Sequence, residues 1–73
     1  MKTYLSVWFN ANGDTPSQVT MKLEKIGFKV AQGNYDYIYD WGRKADIEEV
    51  IMLGDKIQKV LNGSNVLFKM ETI

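Results

Sequence analysis

The residues best able to do chemistry in this chain lie in one short run, Tyr35-Asp36-Tyr37-Ile38-Tyr39-Asp40-Trp41. Aromatic rings at every second position can stack on a ligand, and carboxylates between them can act as general acids or bases. If the run is a strand, its period of two puts Tyr35, Tyr37, Tyr39 and Trp41 on one face and Asp36, Ile38 and Asp40 on the other. Asp36 and Asp40 then stand about 13 Å apart along the backbone, too far to share a proton or to act as a glycosidase pair. They read as solvated strand residues. Burying two carboxylates under a helix layer is costly, which favours the aromatic face inward. Four large aromatics with three hydroxyls overfill a thin core, which argues the other way, and both orientations remain open at this level.

A second candidate is Asn10-Ala11-Asn12-Gly13, placed just before a helix start. Backbone N–H groups at such a junction point outward and can hold an anion, with Asn10, Asn12 and Gly13 as the contributing residues. Any strand-to-helix turn shares part of this character. Glu48 and Glu49 fall in the first turn of a helix, where acids favour the macrodipole, and need no further role. The chain has no cysteine and no histidine. A disulfide, a thiolate or imidazole metal site and a nucleophile–base pair built on those residues are therefore excluded. Phosphate-binding and dinucleotide glycine motifs are also missing. No catalytic residue, metal or cofactor is expected.

The elements that must position these residues follow from periodicity and turn chemistry. Lys2 to Phe9 alternates and is rich in β-branched and aromatic residues, which predicts a strand. Thr15-Pro16-Ser17-Gln18 has a capping residue, a proline suited to the first helical position and a glutamine that completes a capping box. The helix it opens carries Val19, Leu23 and Ile26 on one stripe and stops at Gly27. Phe28 to Gln32 is a short strand, Gly33-Asn34 a two-residue hairpin turn with both residues at positive φ, and Tyr35 to Trp41 a third strand. Asp46 and Glu49 form a second capping box. The following helix places Ile47, Val50, Ile51, Gly54, Ile57, Val60 and Leu61 on one face, with Gly54 marking a close helix–sheet approach. Asn62-Gly63-Ser64 ends it, and Asn65 to Ile73 is the last strand.

The order is β-α-β-β-α-β, with no repeats or linkers. Right-handed crossovers put both helices on one face of a four-stranded antiparallel sheet, an α+β ferredoxin-like sandwich spanning residues 1–73 as one domain. The other sheet face is left open. Seventy-three residues is one domain, and a chain of this size buries only about 60% of its unfolded surface. Without a disulfide or metal, good packing or self-association must stabilise it.

Lysine plus arginine equals aspartate plus glutamate, the net charge is zero and the pI is about 6.1. A dedicated nucleic-acid binder normally carries a basic excess, which is missing here. Arg43 is the single arginine among nine basic residues, which removes most bidentate phosphate recognition. Met1-Lys2-Thr3-Tyr4 runs directly into the first strand, and Ser6 and Asn10 interrupt any signal-peptide core. No apolar run approaches a membrane-spanning length. A cytoplasmic location is expected, with no membrane association.

Gly33-Asn34-Tyr35-Asp36 entering an alternating strand, Asp46-Ile47-Glu48-Glu49 at a helix start and the terminal strand Val66-Leu67-Phe68-Lys69-Met70 together resemble the effector domain of Lrp/AsnC-type regulators. Members of that family show a glycine, a free position, an aromatic and an aspartate at the entry to the third strand. The resemblance implies dimers that bury the open sheet face and larger rings that bind small effectors, often amino acids, between subunits. The chain departs from the family in having no helix-turn-helix, so it resembles a stand-alone effector module or a relative with only the fold in common. The loop after the first strand is similar to that of ACT domains, without their Pro-Gly order. The strand order and the aromatics Tyr4, Tyr35 and Tyr37 are similar to an RNA recognition motif, but Gln32 and two aspartates stand where that family has basic residues.

Two functions are therefore weighed. The first is a non-enzymatic, self-associating module, a homodimer or higher oligomer with a regulatory role, which binds a small amino-acid-like effector. Tyr4, Trp8, Gly33, Asn34, Tyr35, Asp36 and Ile38 are its ligand or interface residues. Whichever way the third strand faces, apolar residues of the first strand must lie on the open face, and such a patch marks an interface. The second is a single-stranded nucleic-acid or protein-binding platform on the same face. The Asp36 carboxylate, poorly suited to a strand, is expected to accept backbone or hydroxyl hydrogen bonds.

Overall fold

A computed structural model describes residues 1–73. Six elements follow in the order β1 (Lys2–Trp8), α1 (Pro16–Lys25), β2 (Lys29–Val30), β3 (Tyr37–Asp40), α2 (Ile47–Val60) and β4 (Leu67–Thr72). They form a four-stranded antiparallel sheet in the order β2-β3-β1-β4. This is the α+β ferredoxin-like arrangement. Each β-α-β crossover skips one strand position, so that β1 and β3 lie in the centre and β2 and β4 at the edges.

α1 begins where its side chains can replace the missing backbone partners of a first turn. Gln18 N–H donates to Thr15 Oγ1 at 3.2 Å, and Thr15 N–H donates to Gln18 Oε1 at 2.9 Å. Val19 and Leu23 face inward. Gly27 ends the helix at a φ of 104°, and a Cβ there would lie 2.8 Å from the Tyr39 ring. At α2, Asp46 N–H donates to Glu49 Oε1 at 3.0 Å.

The core is built from Leu5 and Val7 of β1, Val19 and Leu23 of α1, Phe28, Tyr37, and Leu53, Ile57 and Leu61 of the α2 region. Thr3, Leu5 and Val7 point to the helices, whereas Tyr4, Ser6 and Trp8 belong to the open face. Three expectations need correction. β2 holds only two ladder residues, Lys29 and Val30, because it is a frayed edge, extended only by Ala31 N–H donating to Asp36 O. Gln32 to Tyr35 connect β2 to β3, and of Gly33 and Asn34 only Gly33 has positive φ, 101°. The connection is therefore longer than the two-residue turn, whose mirror-image geometry requires both residues at positive φ.

The buried stripe of α2 is rotated from the expected one. Val50, Leu53 and Ile57 are buried within the helix, whereas Ile47 and Ile51 are 72% and 56% exposed. Apolar residues are frequent enough here to draw two overlapping stripes, and the sheet selects the one containing Leu53. Gly54 lies over β4: a Cβ would sit 3.5 Å from Met70 Cε, ordinary contact with a flexible side chain. Gly54→Ala should therefore stabilise the domain by about 1 kcal/mol through helix propensity. A raised thermal midpoint checks this, and a fall would show that the helix needs the closer approach.

Candidate functional site

The aromatic run divides between the two faces. Tyr37 is buried and its hydroxyl pairs with Thr20 Oγ1 at 2.7 Å. Tyr39 packs on Phe28 with centroids 5.4 Å apart and on Trp41 at 4.9 Å. Trp41 Nε1–H donates to Thr3 Oγ1 at 2.8 Å, and Thr3 in turn pairs with Thr72 Oγ1 at 2.8 Å. These three aromatics face the helices. Tyr35 does not: its ring packs on Tyr4 of the open face with centroids 4.6 Å apart and planes 30° from parallel.

Asp36 causes the switch. In the β1–β3 register Leu5 opposes Tyr37, yet Asp36 N–H also donates to Leu5 O at 3.0 Å. Two residues of the β3 side thus face one of β1, the arrangement of a β-bulge. The extra residue shifts Tyr35 to the opposite face and ends the regular strand at Tyr37. The Asp36 carboxylate completes the junction by accepting Val7 N–H through Oδ2 at 2.8 Å. The expected acceptor role is met by a backbone amide of the central strand. Asp36→Asn keeps an acceptor oxygen and should cost about 1 kcal/mol, whereas Asp36→Ala leaves the Val7 amide without a protein partner and should cost about 2 kcal/mol. Equal midpoints for both variants in urea unfolding would contradict this ranking.

The open face built by this switch has an aromatic centre and an apolar end. Tyr35 Oη donates to Glu71 Oε2, and Glu71 lies opposite Tyr4 in the β1–β4 register. The hydrogen bond to the carboxylate, followed by desolvation, raises the Tyr35 hydroxyl above its ordinary value. Trp8 and its cross-strand neighbour Leu67 are 55% and 74% exposed. Ile38, half-buried, lies opposite Tyr4 on the other side. At the far end Lys2 pairs across from Asp40, and Lys29 from Ile38. Of the expected residues, Tyr4, Trp8, Tyr35 and Ile38 share this face, while Gly33 and Asn34 lie in the connection that delivers Tyr35 to it.

The loop of Asn10, Asn12 and Gly13 is already occupied by its own bonds. Asn12 N–H donates to Asn10 Oδ1 at 2.9 Å, Gly13 N–H to Asn10 O at 2.9 Å and Asp14 N–H to Ser64 O at 2.9 Å. Asp14 also adds negative charge to the hollow that the loop borders. A cluster not legible in the sequence closes this end of the molecule. Lys22 Nζ–H donates to Asp14 Oδ2 and, at 2.8 Å, to Ser64 Oγ, while Ser64 Oγ–H donates to Asp14 Oδ2 at 2.7 Å. Lysine beside serine is a nucleophile pairing in principle, but Ser64 is fully buried and spends its proton on Asp14. The cluster joins the β1–α1 and α2–β4 loops. Its members are up to 50 residues apart, so no local motif reveals it.

A second ion pair lies at the start of α2, where Arg43 holds Glu49 and covers Trp41 with its guanidinium carbon 5.9 Å from the ring centre. Arg43, then the Asp46 amide, lowers the Glu49 carboxyl to about 2. Lys22, then Ser64, lowers Asp14. Both carboxylates favour the folded state once ionised, and that contribution is lost as pH falls from 4.5 towards about 2 for Glu49. Thermal midpoints should therefore decline through this interval, with a shallower decline in Glu49→Gln.

The largest hollow, about 390 Å³, is a crease on α2 lined by Asp55, Gln58, Lys59 and Asn62, with no hydrophobic residue among them. Ligand sites are mostly apolar, which sets this one apart from them. No three acidic side chains converge to hold a metal, and no helix is long and apolar enough to cross a membrane. The chain matches no protein-family model, no curated protein and no solved structure. The strand order and the two helices define a ferredoxin-like α+β domain, here with an aromatic pair on its open sheet face.

Proposed function

We propose that the chain is a non-enzymatic, self-associating module that binds a small, amino-acid-like ligand on its open sheet face and serves a regulatory role. The observation that carries this is the Tyr4–Tyr35 pair, oriented by Glu71 and set beside exposed Trp8 and Leu67. Apolar rings with one fixed polar partner are the ingredients of small-ligand recognition. The Gly33-Asn34-Tyr35-Asp36 resemblance to Lrp/AsnC effector domains supports the same surface, since Asp36 delivers Tyr35 to it.

A panel of free amino acids titrated against the protein, followed by calorimetry, tests the ligand. Sedimentation equilibrium at micromolar concentration tests the association. Binding that is lost in Trp8→Ala or Tyr35→Ala, together with a mass above that of the monomer, supports the proposal. A clean monomer that binds none of the panel overturns it.

One observation favours a second reading. Lys2 and Lys29 flank the open face and Lys69 lies opposite Ser6, so lysines surround the aromatic pair despite zero net charge. Single-stranded RNA stacked on Tyr4 and Tyr35 would bind at low salt and dissociate steeply as salt rises. Fluorescence anisotropy with a labelled oligonucleotide distinguishes it, and no binding at low salt removes it.

A further inference from the structure

We propose that a second copy of this chain docks on the outer edge of β4, antiparallel and centred on Met70, joining two sheets into one continuous sheet. The proposal rests on the self-association inferred above and specifies where the copies meet.

β4 is an edge strand of six residues. It lacks the proline or bulge that commonly blunts such an edge. Its backbone parity is fixed by β1. Lys2 and Ile73 exchange both backbone hydrogen bonds at 3.0 Å, so Leu67, Lys69, Glu71 and Ile73 bond inward while Phe68, Met70 and Thr72 direct their N–H and C=O groups outward. An antiparallel partner related by a two-fold axis at Met70 meets all of these groups. Met70 opposes Met70 of the second copy, and Phe68 opposes Thr72 on either side.

The side chains select this register. Between the hydrogen-bonded pairs lie closer, non-hydrogen-bonded sites. There Lys69 of each copy stands opposite Glu71 of the other, twice by symmetry. Sliding by two residues preserves the backbone bonds but sets Lys69 against Lys69, or Glu71 against Glu71, and like charges directly opposite destabilise a sheet. Tyr35 occupies Oε2 of Glu71, which leaves Oε1, 3.9 Å from Lys69 of its own chain, for a cross-strand pair. The same register sets Leu67 against Ile73, 74% and 73% exposed and the most exposed large apolar residues of the chain.

The helix layer continues the surface. Ile47, Ile51 and Gly54 share one side of α2 by helical spacing, and Gly54 rests over the Met70 side chain. The exposed isoleucines therefore lie on the β4 side of the helix. A two-fold at Met70 brings the corresponding strip of the second copy towards them, which explains apolar residues that the monomer core does not use.

Sedimentation equilibrium of the full chain provides the test, with circular dichroism as a check on folding. The parent chain should be a dimer, and Lys69→Glu should weaken it at least about tenfold by turning two attractive pairs into repulsive ones. The double variant Lys69→Glu/Glu71→Lys should restore association. Independently, amide exchange at Phe68, Met70 and Thr72 in the parent chain should slow as concentration rises. A dimer indifferent to Lys69→Glu, or one whose outward β4 amides exchange equally at all concentrations, overturns the edge proposal and leaves self-association through another surface. A parent chain that stays monomeric overturns both.

Discussion

Gly13→Ala is expected to lower stability by about 3 kcal/mol, the upper part of the range for overpacking a close contact. A Cβ at this position would lie 2.4 Å from the carbonyl oxygen of Ser64 and 2.9 Å from that of Asn65. Both obstacles are backbone, so no rotamer change relieves them. The alternative is to separate the two loops, which stretches the bond from Asp14 N–H to Ser64 O and loosens the cluster of Asp14, Lys22 and buried Ser64. For a domain of this length each kcal/mol moves the thermal midpoint by about 4–8 °C, so a fall of about 12–24 °C by circular dichroism is expected. A fall below about 4 °C would mean that the loops part freely and that the cluster adds little.

Phe28→Ala should have the largest effect of any single truncation considered, about 3–5 kcal/mol. Phe28 is 1% exposed and follows Gly27 directly, where the chain leaves α1 for β2. Its ring supports Tyr39, which supports Trp41, so the cavity removes the base of an aromatic stack as well as one side chain. A domain of this size has about 4–11 kcal/mol in total, and the loss therefore takes a large share of it. Urea unfolding should show a lower midpoint with an unchanged slope, since the surface exposed on unfolding is nearly the same. Trp41 emission should shift towards that of the unfolded chain at urea concentrations the parent tolerates. A loss under 2 kcal/mol would show that the stack collapses around the gap.

What could be read in advance divides along the range of the interactions. The start of α1 needs only Thr15, Pro16 and Gln18, and its end needs only Gly27, so both were legible in a few neighbouring residues. The strand order follows from the alternation of elements and the handedness of crossovers. The inward direction of Tyr37, Tyr39 and Trp41 agrees with the cost of burying Asp40. Tyr35 escaped the alternation because the bulge at Asp36 is made with Leu5 and Val7, about thirty residues earlier in the chain. Periodicity carries no information about such a partner.

The same distinction applies to α2 and to the loops. Ile47, Val50, Ile51 and Leu53 allow more than one stripe, and only the position of the sheet decides which is buried. The residues Asp14, Lys22 and Ser64 are ordinary in their local contexts, so their convergence had no signal in spacing or composition. Gly33 and Asn34 gave a turn of the right place and the wrong length. The open face itself was legible from the topology, whereas its aromatic pair depended on the bulge.

The pairing of β1 with β4 has a kinetic consequence. Residues hydrogen-bonded across this ladder are about sixty or more positions apart, while β1 is also the strand on which β3 must assemble. Closing so long a segment costs chain entropy before any of its contacts can compensate, and folding slows as native contacts become more distant in sequence. On a ribosome the first strand would emerge early and wait, with one whole edge uncovered, until β4 had emerged as well. Ser6 and Lys69, which meet across that ladder, put polar groups among the apolar side chains of the waiting strand and of its late partner.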